Sequence, residues 1–153
     1  MNILIISTAE NSGGGAIAAR RLLIALEEKG INVKMIVRDK QTKHPSVIAL
    51  KKGKWYMLCF VWERFVIWSN NLFSRKNLFK VSIANTGYDI TNTKEFQAAD
   101  IIHLHWVNQG MLSLDCLRKI ILSGKPVVWT MHDMWECTAI CHHAYTCDRF
   151  KTE

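Results

Sequence analysis

Apolar positions in this chain fall into short solid runs separated by stretches with helical spacing. Residues 2–8 (NILIIST) are nearly all apolar and rich in β-branched side chains, the pattern of a strand buried on both faces of a parallel sheet. From Ala16 the pattern changes to helical spacing, through Ile17, Leu22, Leu23, Ala25 and Leu26, in a helix that closes on Glu28-Lys29-Gly30. Gly30 suits a left-handed C′ position there, and Lys29 suits the negative end of the helix dipole. Residues 32–37 (NVKMIV) read as a second strand, which completes a βαβ unit with a right-handed crossover. A third, short strand is predicted at 47–50 inside a lysine-rich segment. Residues 55–73 follow as a helix that is apolar nearly all round, broken by Glu63, Arg64 and Ser69-Asn70-Asn71. Residues 74–99 carry little pattern. A buried strand returns at 100–106 (DIIHLHW). Ser113 then caps a helix through Leu114, Leu117, Ile120 and Ile121, stopped by Gly124, and a last strand enters at Pro126 and runs to 131.

Solid apolar strands alternating with helices predict an α/β fold with a doubly wound, mostly parallel sheet. Ligands of such sheets bind beyond the carboxyl ends of the strands, where the strand order reverses. Three segments should meet there: 9–15, 103–110 and 130–136. With 153 residues and 49% hydrophobic side chains the chain fits one domain, and disordered and fibrous classes are excluded. No apolar run approaches the ~20 residues of a membrane span, and Ile3 to Ile6 is too short, with no preceding basic residues, for a secretory signal. The expected location is the cytoplasm, so the five cysteines read as thiols or metal ligands, not disulfides.

The net charge of +7 is concentrated at the start: residues 1–54 carry ten bases and four acids, residues 100–153 five and six. Such a patch favours anionic partners. Nucleic acid is not expected among them, because no recognition module is visible. Gly13-Gly14-Gly15 before a helix presents backbone N–H groups at the positive end of a dipole and can take a phosphate; the same glycines also read as a flexible turn. With Ala18 they satisfy the dinucleotide pattern G-x-G-x-x-G/A, with Arg38 or Asp39 placed to meet an adenosine ribose. That alternative, an NAD(P)-binding domain of an oxidoreductase, is weakened by the residues lying between the first strand and Gly13. His103 and His105 share a strand face. His132, beside Asp133, leaves the next strand at the open edge and is the favoured functional pair, whereas His103 sits deeper and reads as structural. Cys137, Cys141, His142, His143 and Cys147 contain the ligand types of zinc, with free thiols as the plain alternative. Lys51, Lys52 and Lys54 beside Trp55, Trp62 and Trp68 suit an anionic bilayer surface, so a non-catalytic membrane-surface module is a second alternative; burial of the helix in the core explains its composition equally well.

Three segments together carry a resemblance: Ile3-Leu4-Ile5-Ile6-Ser7 with Gly13-Gly14-Gly15-Ala16 and Ala19-Arg20-Arg21-Leu22, Asp100-Ile101-Ile102-His103-Leu104-His105-Trp106, and Trp129-Thr130-Met131-His132-Asp133-Met134-Trp135. The chain resembles the amino-terminal domain of a family-4 retaining glycosyltransferase of the GT-B fold, of the bacterial capsule, lipopolysaccharide or colanic-acid type. The resemblance implies a Rossmann-like, acceptor-side domain over 1–153 that lacks the carboxyl-terminal, donor-binding domain and is inactive alone. It implies transfer of a sugar from a nucleotide-diphosphate donor to a glycan or lipid-linked acceptor, with no cofactor or metal required. Gly13, Gly14 and Gly15 would face the donor phosphates. His132, oriented by Asp133, would lie near the transferred sugar, and His105, Trp106 and Asn108 would contact acceptor or sugar. Cys137, Cys141, His142 and Cys147 remain the candidate metal ligands. Where relatives read Pro-Phe-Thr-Gly-Gly-Cys, this chain has Glu136-Cys137-Thr138-Ala139-Ile140-Cys141.

Overall fold

A computed structural model describes residues 1–50, 54–138 and 140–151. Five strands, β1 (Asn2–Ala9), β2 (Asn32–Asp39), β3 (Val47–Ala49), β4 (Ile101–Leu104) and β5 (Val127–Trp129), form one sheet in the order β3-β2-β1-β4-β5. Every neighbouring pair is parallel. The helices are α1 (Gly14–Glu28), α2 (Lys54–Asn70), α3 (Lys94–Ala98), α4 (Leu114–Ile121) and α5 (Trp135–Thr138). The chain leaves β1 toward β2 and β3 on one side, then crosses back to place β4 and β5 on the other. The order therefore reverses between β1 and β4.

Alternation along each strand divides the core. Ile5, Met35 and Val37 point to the side covered by α1, where Ala19 and Leu23 are fully buried. Leu4, Ile6, Ile36, Ile102 and Leu104 point to the other side, against Phe96 of α3, Leu117 and Ile120 of α4, and Trp135 of α5. Ser113 caps α4 as its sequence predicts, its hydroxyl accepting the Cys116 N–H at 3.1 Å. Gly30 has φ +73°, which closes α1 as expected. Strands β4 and β5 are shorter than the apolar runs 100–106 and 126–131, because those runs leave the sheet to build the rim of a cleft. There the Trp106 carbonyl accepts the Thr8 N–H at 2.8 Å, outside the ladder.

Helix α2 differs most from expectation. It stops at Asn70 instead of Phe73, since Leu72 and Phe73 take positive φ of 50° and 60°. Its buried side carries Cys59, Ile67 and the charged pair Glu63, at 0% exposure, and Arg64, at 6%. Trp55, Met57, Leu58, Val61, Trp62 and Phe65 are exposed. Burial of the charges has a physical reason in the weakly patterned segment that packs beneath them. That segment has few backbone partners of its own, and buried N–H and C=O groups must be paired. Glu63 Oε1 accepts the N–H groups of Ile83 and Ala84 at 2.8 and 3.0 Å. Arg64 Nη1 donates to the carbonyls of Leu78 and Val81 at 2.5 and 3.1 Å, while Nη2 lies 3.0 Å from Glu63 Oε2. Burial of the whole helix in the core, one of the two readings of its composition, is thus overturned. Lys51 and Lys52 lie outside the described residues.

Candidate functional site

The three segments expected to converge do so at the carboxyl ends of β1, β2, β4 and β5, around a cleft of about 490 Å³. Gly13, with φ +87°, turns the chain from β1 into α1. No side chain caps this helix, and its first turn holds no acidic residue. The first N–H groups of α1 consequently meet the cleft at the positive end of the dipole. Three residues, Glu10 to Ser12, separate β1 from Gly13, one fewer than the sequence predicts. Glu10 is fully buried and anchors this bend to the chain after β2: its Oε2 accepts the N–H groups of Gln41 and Thr42 at 2.7 and 2.8 Å, and its Oε1 accepts the Thr42 hydroxyl. Burial pushes this carboxyl up, but those hydrogen bonds and the nearby Arg20 outweigh it and hold it below the usual carboxylate range.

Opposite the bend stands His132. A Cβ on Gly15 would lie 3.0 Å from two of its ring carbons, tighter than ordinary packing, so the glycine lets the imidazole approach the helix start. His132 Nε2 meets His105 Nδ1 at 2.9 Å, and the His105 ring stacks on His103 with centroids 4.7 Å apart. His103 Nε2 in turn meets Thr130 Oγ1 at 2.8 Å. Burial, then the neighbouring His103 and His132, pushes His105 down to about 4, and burial, then His132, also lowers His103. Both rings are therefore neutral near pH 7.

Two expectations are corrected here. Asp133 does not orient His132. Its Oδ2 accepts Trp106 Nε1 at 2.9 Å and lies 2.6 Å from His142 Nδ1, while its Oδ1 accepts the Trp135 N–H at 2.9 Å. A carboxylate turned toward three such partners braces the cleft wall, and the orienting group of His132 is His105. Nor do His105 and Asn108 reach a ligand, being 2% and 1% exposed beneath the cleft surface. Trp106 does line the cleft, together with Gln109 and His143.

The cysteine and histidine tail is likewise not gathered. His142 sits between Asp133 and Ser82, whose Oγ is 3.1 Å from its Nε2, and this double engagement removes it from any shared set with Cys137, Cys141 and Cys147. Among the described residues no three His, Cys, Asp or Glu side chains stand close enough to share a metal ion. Cys137 is exposed, with its sulfur 3.9 Å from that of Met131.

Arg38 and Asp39 border the cleft, but they engage one another. Arg38 Nε lies 3.1 Å from both Asp39 oxygens and Nη2 2.6 Å from Oδ2, while Nη1 donates to the Gln109 carbonyl at 2.5 Å. An acidic residue so occupied is poorly placed to accept ribose hydroxyls, which disfavours the dinucleotide reading. Sequence reasoning missed the bracing roles of Glu10 and Arg38 and the place of Gln109 and His143. The side-chain partners of Glu10 lie 31 and 32 positions away and the Gln109 carbonyl 71 from Arg38, while Gln109 and His143 stand on irregular segments, beyond the reach of any local spacing rule.

Neither a search of curated proteins nor one of solved structures returns a match. A family model described as Glycosyltransferase Family 4 matches residues 12–151. That span takes in the glycine bend, the three histidines and the cleft lining from Ser12 to His143, on an all-parallel α/β sheet, and the chain belongs to glycosyltransferase family 4.

Proposed function

We propose that residues 1–153 form the acceptor-side domain of a sugar transferase that moves a hexosyl group from a nucleotide-diphosphate donor to a glycan or lipid-linked acceptor in bacterial polysaccharide synthesis. The observation that carries this reading is the contact between Gly15 and the His132 ring. It joins an uncapped helix N-terminus and a neutral-histidine-backed imidazole across one cleft at the strand-order switch. N–H groups of Gly14, Gly15 and Ala16 would stabilise charge on the leaving diphosphate, and His132, held by His105, would hydrogen-bond the sugar. Trp106 would supply an apolar wall for a sugar ring. Because the backbone dipole supplies the positive charge, the reading calls on no metal. A second α/β domain would provide the main grip on the nucleotide, so residues 1–153 alone should turn over little.

Isothermal titration of residues 1–153 with UDP, GDP, a UDP- or GDP-hexose, NAD and NADP tests this. Weak saturable binding of UDP or GDP is expected, and a UDP- or GDP-hexose should lose in His132→Ala the affinity that its sugar adds. Saturation by a dinucleotide and by neither diphosphate would reverse the assignment.

A further inference from the structure

Outside the cleft, the feature without a role is the outer side of α2. At 100° per residue, Trp55, Leu58, Trp62 and Phe65 lie along one strip, with Met57 and Val61 beside it. All six are exposed, and no charged residue interrupts them. The aromatic rings run on from the helix. Trp62 and Phe65 have centroids 5.8 Å apart, Phe65 and Trp68 6.0 Å, and Trp68 and Phe73 4.8 Å. Leu72 and Phe73, at the left-handed turn after the helix, are 90% and 66% exposed. Soluble monomers rarely expose a continuous apolar ribbon of this extent. A groove of about 550 Å³ between Trp55, Leu58, Trp62 and Phe65, lined also by Cys59 and Thr86, has the volume and apolar lining for part of an acyl chain.

The charge around the ribbon selects its occupant. In the sequence from 50 to 81 the only acid is Glu63, which is buried against Arg64. Lys51, Lys52 and Lys54 precede the ribbon, and Arg75, Lys76 and Lys80 follow it. A second copy of the chain, docked symmetrically, would bring these bases against themselves. Tryptophans on an apolar face, with the exposed bases Arg75, Lys76 and Lys80 following it, suit the headgroup layer of an anionic membrane. Among the described residues no helix is long and apolar enough to cross a membrane, so the contact is with one leaflet.

We infer that the outer side of α2 and the turn at 72–73 dock on an anionic bilayer surface. The rim of the cleft is tied to the same helix: Arg38 lines the cleft, and its guanidinium lies 5.4 Å from the Tyr56 ring centre. Docking therefore holds the cleft beside the membrane, where a lipid-linked acceptor would lie; this last point rests on the transferase reading, and the docking itself does not.

Vesicles of phosphatidylcholine mixed with phosphatidylglycerol, compared with phosphatidylcholine alone, provide the test. The protein should sediment with the anionic vesicles and less so as salt rises, and brominated acyl chains should quench its tryptophan emission. Trp62→Ser with Phe65→Ser, and separately Arg75→Glu with Lys76→Glu, should each lower partitioning about tenfold. These sites are exposed, so circular dichroism melting curves should stay in place; quenching of the unaltered protein decides the matter should a variant misfold. Absence of sedimentation with anionic vesicles, sedimentation without quenching, or a dimer of the free chain abolished by Trp62→Ser with Phe65→Ser would each overturn the docking. None of these results bears on nucleotide binding.

Discussion

Gly15 and His132 show how one hydrogen in place of a methyl shapes the cleft. A Cβ at residue 15 would stand 3.0 Å from two imidazole carbons, tighter than ordinary packing, and the ring would have to shift by a few tenths of an ångström against its bond to His105. Alanine is also the better helix former, by about 1 kcal/mol inside a helix. Gly15→Ala should therefore leave the melting temperature within about 3 °C of the parent while weakening nucleoside diphosphate binding severalfold. Calorimetry and titration on the same sample check the two halves. His105 carries a second expectation. Its folded value, about 4, is depressed from the ordinary 6.5 by burial and by His103 and His132. The folded state thus resists a proton that the unfolded state accepts. Stability from this group is complete above pH 6.5 and is lost as the pH falls toward 4, by up to about 3 kcal/mol. Urea midpoints between pH 7 and 4 should fall less steeply in His105→Gln than in the parent; parallel curves would remove His105 as the cause.

Among the elements, α2 departs from the rule that apolar faces turn inward. Glu63 and Arg64 are both buried and together pair four backbone groups of the segment 78–84. Removing either charge leaves the other without its partner and strands buried amides or carbonyls, a loss of about 3–5 kcal/mol. Glu63→Ala and Arg64→Ala should each show that loss in chemical denaturation, and the double variant should lose less than the sum. The elements legible from sequence were those whose own side chains decide their environment. The run 2–8 is solid with apolar residues because β1 has a covered face on each side, and Ser113 with Gly124 brackets α4. Residues 55–73 were legible as a helix but not in orientation. Apolar composition says that a surface wants cover without saying whether the fold provides it, and the partners of Glu63 lie 20 and 21 positions away.

For the whole molecule, parallel pairing and the reversal of strand order between β1 and β4 locate the cleft, and both follow from the alternation of strands and helices. The meeting of the glycine bend with His132 was therefore readable in outline before any coordinates. The individual contacts were not. Asp133 adjoins His132 in the chain, yet it turns to Trp106, His142 and Trp135, because three N–H donors converge on its side of the wall. His105 reaches His132 at the end of the β4–β5 pairing: Leu104 lies opposite Trp129, His105 follows β4 directly, and His132, three residues past β5, comes back to meet it. Adjacency in sequence gave a wrong partner, and lateral strand pairing supplies the right one.

The inverted helix also reverses what tolerance to substitution should look like. On most helices greasy positions are the ones that evolution and engineering must leave alone, while ionic ones drift freely. Here the outer tryptophans and leucines can become hydrophilic with little effect on folding, and it is the glutamate and arginine that hold the architecture, so selection on the exterior of this segment acts through what it touches.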